Sequence, residues 1–95
     1  MNKVFQALSD PTRREILRLL KNGDMTAGDI AERFPLAKST LSGHFGVLKH
    51  AGLIVAEKNG TRIVYSLNVS ALEQVLASVL GLLDGGRKSK KTVRS

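Results

Sequence analysis

The chain has 95 residues, with 15 lysines and arginines against 8 aspartates and glutamates, a net charge of +7, and neither cysteine nor tryptophan. That length implies one small domain with an aliphatic core, and the lack of cysteine excludes disulfides and thiolate metal sites. No run reaches the ~18 apolar residues of a spanning helix and no amino-terminal signal pattern is present, so a soluble, cytoplasmic protein is expected.

Residues 2–8 read as a short helix presenting Val4, Phe5 and Leu8. "SDPTRREILRLL" then gives a helix start, with Asp10 as N-cap, Pro11 at the first helical position, and Ile16, Leu17, Leu19 and Leu20 as the apolar face. Arg13 and Arg14 read as surface residues ion-paired with Asp10 or Glu15. "KNGDMT" is a turn in which Gly23 stops the helix. "TAGDIAERF" opens the next helix, capped by Thr26, with Asp29 completing a weaker capping box and Ala27, Ile30, Ala31 and Phe34 turned inward. "PLA" breaks it, and a further helix starts near Lys38, which makes a helix-turn-helix arrangement.

After "HAGL" the period changes from helical to alternating. "IVAEK" and "TRIVYSL" flank Asn59-Gly60, a dipeptide suited to a type I′ hairpin turn. Ile63, Tyr65 and Leu67 alternate onto one face, and Arg62, Val64 and Ser66 onto the other. A last helix spans about 70–83. The predicted fold is mainly α with a β-hairpin, a winged helix-turn-helix of about five helices and a two-stranded wing.

The charge is unevenly placed. Arg87, Lys88, Lys90, Lys91 and Arg94 lie in the acid-free stretch "GGRKSKKTVRS", so residues 1–84 carry a net charge of only +2. We assign 1–84 to the folded domain and 85–95 to a basic tail expected to be disordered, since glycines and charges bury little apolar area. The tail reads either as a solubilising segment or cloning remnant, or as a non-specific phosphate-binding arm. Between Arg33 and Ala56 there is no acid, while Arg33, Lys38, His44, Lys49 and His50 are present. A solvated helix face normally mixes both signs, so this window suits a surface that approaches phosphate.

The stretch "KSTLSGHFGVLKHAGLI" concentrates that signal. At about 100° per residue, Leu41, Phe45, Leu48 and Gly52 share the core face, flanked by His44 and Ala51. Ser39, Ser42, Gly43, Gly46 and His50 take the opposite side. Each interior glycine costs a helix roughly 1 kcal/mol. That cost is explained if the backbone must approach base edges in a major groove about 12 Å wide, or if another helix packs closely there. His44 reads as a buried, hydrogen-bonded histidine rather than a base reader. Lys58 and Arg62 flank the hairpin tip, where they either reach phosphate or serve as ordinary edge-strand charges.

Taken in order, "FQALSDPTRREILRLL", "MTAGDIAERF", "LAKSTLSGHFGVLKHAGLI" and "KNGTRIVYSLN" resemble the ArsR/SmtB-type winged-helix repressors over residues 5–68, most closely the SdpR-like autorepressor subgroup. The resemblance implies a homodimer, a dyad-symmetric double-stranded DNA operator and transcriptional repression. It carries the family's DNA-contacting positions onto Lys38, Ser39, Thr40, Ser42 and Gly43, with the wing from Lys58 to Arg62. Many members have Arg at the position of Gly43 and Leu at that of Phe45. The loss of that arginine removes a possible bidentate guanine contact.

The family's metal sites use either cysteines on the helix before the recognition helix or Asp and His pairs on the last helix. "TAGDIAERF" has no cysteine, and residues 70–84 offer only Glu73 and Asp84. No metal site and no cofactor are therefore expected. Release from DNA is instead expected through a protein partner that sequesters the dimer, as the subgroup resemblance implies, or through changes in concentration.

Leu72, Leu76, Val79, Leu80 and Leu83 form one stripe on the last helix, with Ala71, Val75 and Leu82 beyond it. A helix apolar nearly all round is buried on more than one side. With Val4, Phe5 and Leu8, the stripe is assigned to a dimer interface. A winged helix used only for protein contacts is the second function class. An enzyme is the third, but no nucleophile–base set or phosphate-cradling glycine loop can be proposed for one.

Overall fold

The computed structural model describes residues 2–87, with side chains through Leu83. Helix α1 (Asn2–Leu8) leads into α2 (Pro11–Leu20), followed by strand β1 (Met25–Thr26), helices α3 (Ala27–Ala31) and α4 (Lys38–His50), strands β2 (Ile54–Asn59) and β3 (Arg62–Leu67), and helix α5 (Val69–Arg87). The order is that of a winged helix-turn-helix, as expected.

The start of α2 forms as its sequence dictates. The Asp10 carboxylate accepts from the Arg13 N–H at 3.0 Å, and Pro11 occupies the first turn, where its missing N–H costs nothing. Ile16 and Leu20 are buried beneath it. They join Ala7, Ile30, Leu41, Phe45, Leu48, Leu53, Ile54 and Tyr65 in one core. Complete burial of a side chain such as Leu41 or Leu48 contributes about 2 kcal/mol.

Arg13 and Arg14 depart from the expected surface ion pairs. Arg13 donates through Nε to the Ala7 carbonyl at 2.8 Å and through Nη2 to the Gln6 carbonyl at 3.0 Å. Arg14 donates through Nη1 to the Leu8 carbonyl at 2.8 Å. The last carbonyls of α1 lack intrahelical partners, and these guanidinium groups supply them. Glu15 pairs instead with Arg18.

The stretch expected to be only a turn contains β1, whose Met25 and Thr26 pair with Tyr65 and Val64. The sheet therefore has three antiparallel strands in the order β1-β3-β2. Thr26 also accepts from the Asp29 N–H at 3.0 Å, so one residue ends the strand and caps α3. Helix α3 stops at Ala31. Phe34 lies beyond it, partly buried against the core.

Gly52 does not belong to the core stripe of α4. The helix ends at His50, and Gly52 takes a φ of +78°. Its N–H donates to the Lys49 carbonyl at 2.9 Å, and the Leu53 N–H to the Leu48 carbonyl at 3.0 Å. That pair of bonds is a Schellman cap, for which glycine carries no Cβ penalty. The wing turn also shifts by one residue. Asn59 pairs with Arg62, leaving Gly60-Thr61 as the loop, and only Gly60 has positive φ, at +69°. This is the pattern of a II′ turn rather than the expected I′ turn centred on Asn59-Gly60.

Asn68, which the sequence reading passed over, caps α5 by accepting from the Ala71 N–H at 3.2 Å. Its amide also donates to the Gly52 carbonyl at 3.0 Å, tying the end of α4 to the start of α5. The helix thus begins at Val69 and runs through Arg87, three residues into the stretch assigned to the tail. The rest of the basic tail, 88–95, lies outside the described residues. No helix among the described residues is long and apolar enough to cross a membrane.

Candidate nucleic-acid interface

Helix α4 buries Leu41, Phe45 and Leu48 and turns Lys38, Ser39, Thr40, Ser42 and Gly43 to solvent. A Cβ built on Gly43 or Gly46 would meet nothing within 4 Å. Within this chain, therefore, neither glycine serves close helix packing. The N-cap residue Ala37 has no side chain able to cap, so the first amides of α4 stay open at an exposed, positively polarised helix end beside Lys38.

The wing is set against this helix by an aromatic pair. The rings of Phe45 on α4 and Tyr65 on β3 lie 4.5 Å apart at 34°. Burial pushes the Tyr65 phenol pKa up. Lys38, Ser42 and the wing residue Ile63 line one cleft together. Arg62 and Ile63 line a neighbouring one, opposite Asp29 of α3 and Glu32 just past its end. Lys58 is exposed on β2, paired in register with Ile63. The alternation expected of β3 puts Ile63 on the same face as Tyr65, but only Tyr65 is buried there; Ile63 is 40% exposed, because the hairpin projects past the core.

The two histidines part company. His44 is half-buried, with Nδ1 3.1 Å from Arg13 Nη1 and 3.9 Å from Asp10 Oδ2. It is hydrogen-bonded, as the sequence suggested, but half-buried rather than buried. The Asp10 carboxyl is held below its usual pKa, chiefly by the Arg13 N–H. His50, expected on the outer side with Ser39 and Ser42, instead shares a depression with Lys3 and Gln6 of α1. Among the described residues, no three His, Cys, Asp or Glu side chains converge as a metal site would require.

The residues assigned to a dimer interface divide in two. Val4, Leu8 and Leu72 are partly buried against this chain's own core. Phe5, Leu76, Val79, Leu80 and Leu83 remain exposed. Of the ten exposed large apolar residues among those described, seven lie on α1 and α5. The second half of α5 extends away from the core with its apolar stripe uncovered.

Comparison with known proteins agrees with this geometry. Residues 8–56 match a helix-turn-helix domain family. The chain is 50% identical over 86 residues to the transcriptional repressor SdpR of Bacillus subtilis (strain 168), covering 90% of this chain and 96% of that protein. It is 37% identical over 75 residues to an arsenical resistance operon repressor of Staphylococcus xylosus, covering 79% and 72%. Among solved structures, an ArsR-like transcriptional regulator from Rhodococcus sp. RHA1 superposes with a TM-score of 0.83 at 28% identity, covering 98% of this chain and 88% of that one. A possible transcriptional regulator for arsenical resistance gives 0.74 at 34% identity, covering 81% and 80%. The chain belongs to the ArsR family of winged helix-turn-helix transcriptional repressors.

Proposed function

We propose that the protein represses transcription as a homodimer that lays α4 of each protomer into the major groove of a dyad-symmetric operator. Ser39, Thr40, Ser42 and Gly43 meet base edges and nearby phosphates, Lys38 meets phosphate at the helix start, and Lys58 and Arg62 of the wing reach the flanking backbone. The observation that carries this reading is the outer face of α4. It is exposed and acid-free, and its two glycines have open space beyond them. A helix gives up propensity in this way when its backbone must come close to something outside the chain.

Dimerisation is supported by the uncovered stripe on α5 together with Phe5, since a chain of this size rarely leaves so much apolar surface facing water. The reading includes no metal-sensing site, because the chain has no cysteine and its described acids and histidines do not converge. Release then falls to a sequestering protein partner or to the repressor's own concentration. The basic tail adds non-specific affinity.

The test is selection of duplexes from a random-sequence pool, followed by footprinting and titration at several salt concentrations. Two half-sites should emerge, centred roughly one helical turn, about 34 Å, apart or a multiple of it. Preference over random duplex should survive added salt better than total affinity does. A pool that yields no enriched sequence would leave a winged helix used for protein contacts.

A further inference from the structure

The cleft between α3, the first turns of α4 and β3 has a volume of about 240 Å³. Leu41, Phe45, Ile63 and Tyr65 make its apolar walls, and among the described residues Lys38 is the only charged one lining it, with Ser42 also in the lining. The described residues do not fill this space. Ile63 shares a strand face with buried Tyr65, yet stays 40% exposed. On the opposite wall, a Cβ added at Gly28 would meet nothing nearer than Thr26 Oγ1 at 3.9 Å.

Tyr65 adds a polar handle to the wall. The residue is only 6% exposed, and its phenol takes part in none of the side-chain hydrogen bonds among the described residues, so the O–H is free to donate to a group entering the cleft. The volume lies below the ~300–1,000 Å³ of sites for drug-sized ligands, which sets the occupant's size. One ammonium matches one negative charge, and a dianionic phosphate would bring a second charge with nothing to meet it.

We propose that this cleft binds a small carboxylate with a compact apolar body and a second oxygen, its carboxylate at Lys38 and Ser42 and its body between Leu41, Phe45 and Ile63. The second oxygen accepts from the Tyr65 phenol. Lys38 and Ser42 also belong to the proposed DNA face, so ligand and duplex exclude one another. That consequence, unlike binding itself, rests on the DNA-binding reading. The cleft would then give a regulator without a metal cluster a small-molecule input, since a ligand that binds only the free state shifts the repressor off DNA.

The experiment is a 15N–1H NMR titration of the full chain, without DNA, using 4-oxocyclohexanecarboxylate, cyclohexanecarboxylate and the neutral 4-oxocyclohexanecarboxamide. Saturable shifts are expected at the amides of Ser42, Ile63 and Tyr65, with the oxo acid binding about tenfold more tightly than the plain acid. Tyr65→Phe should abolish that preference while leaving the spectrum dispersed, and Lys38→Gln should weaken both acids to the level of the amide. Shifts that never saturate, equal affinities for the two acids, or affinities that Lys38→Gln leaves unchanged overturn the proposal. A separate competition against selected duplex should show DNA release in proportion to ligand occupancy. Binding without release would keep the ligand site and instead remove Lys38 and Ser42 from the DNA face.

Discussion

Arg13 Nη1 stands 3.1 Å from Nδ1 of His44, and this contact joins the first turn of α2 to the middle of α4. Arginine can only donate, so in this contact Nδ1 is the acceptor. The same guanidinium holds the Gln6 and Ala7 carbonyls at the end of α1. One side chain thus locks three helices, among them the one offered to DNA. Arg13→Ala should cost about 2 kcal/mol of stability, because the hydrogen bonds lost are charge-assisted and partly shielded. Arg13→Lys should recover little, since an ammonium cannot span both α1 and α4 in the geometry of a planar fork. A denaturation double-mutant cycle with His44→Ala should give a coupling of about 1 kcal/mol. Additive losses would show the 3.1 Å contact to be energetically idle.

Asp10 provides a pH test of the same corner. Its folded pKa lies below the ordinary 3.8, first because it accepts from the Arg13 N–H. A carboxylate depressed in this way adds stability at pH values above its unfolded pKa, and that stability is lost as pH falls through the folded value. Asp10→Ala should therefore lower Tm at pH 7, and the gap from the parent should narrow as the pH is taken below about 3.8. A gap that is constant from pH 7 to pH 2 would assign the loss to something other than the charged cap.

Gly43→Ala and Gly46→Ala separate fold from function. An added Cβ meets nothing within 4 Å at either site, so each change should stabilise the folded chain by about 0.5–1 kcal/mol. Operator binding should nevertheless weaken, because each methyl group stands between the helix backbone and the groove. Thermal melts and affinity measurements on the same samples decide it. Variants that are both more stable and equally tight binders would place the groove-facing surface elsewhere.

Ser39 and Ser42 lie on the exposed face of α4 and Arg62 at the wing. Removing both serine hydroxyls should weaken binding to selected operator more than to random duplex. Arg62→Ala should weaken both alike and reduce the salt slope by about one unit. If the double serine variant lost equally on both duplexes, the serines would be phosphate contacts only.

Leu76 is 59% exposed, so Leu76→Glu should leave the protomer folded. In a dimer sealed by α5 the change would bury two unpaired carboxylates, which is strongly unfavourable. Sedimentation should show monomers, with operator binding lost at concentrations that saturate the parent. A dimer that persists in this variant would move the interface off α5.

Local chemistry alone determined much of this protein. Asp10-Pro11 started α2, the spacing of Leu41, Phe45 and Leu48 set the buried side of α4, and the alternating run around Gly60 made a wing, because caps, helical period and turn residues act within a few positions of themselves. The outer face of α4 was legible for the same reason: once the inner face was known, the remaining residues had to point away. Tertiary structure decided what depends on partners distant in sequence. Met25 and Thr26 form a strand only because Tyr65 and Val64 lie beside them. Arg13 is a clamp rather than a surface ion because the α1 carbonyls and His44 converge on it. Gly52 became a cap rather than a core residue where Leu53 turned inward, and the cleft beside Tyr65 exists only because α3, α4 and β3 meet without filling the space between them. Periodicity gives the direction of a side chain but not what stands opposite it, and hydrogen bonds, caps in tertiary contact and cavities all depend on the second of these.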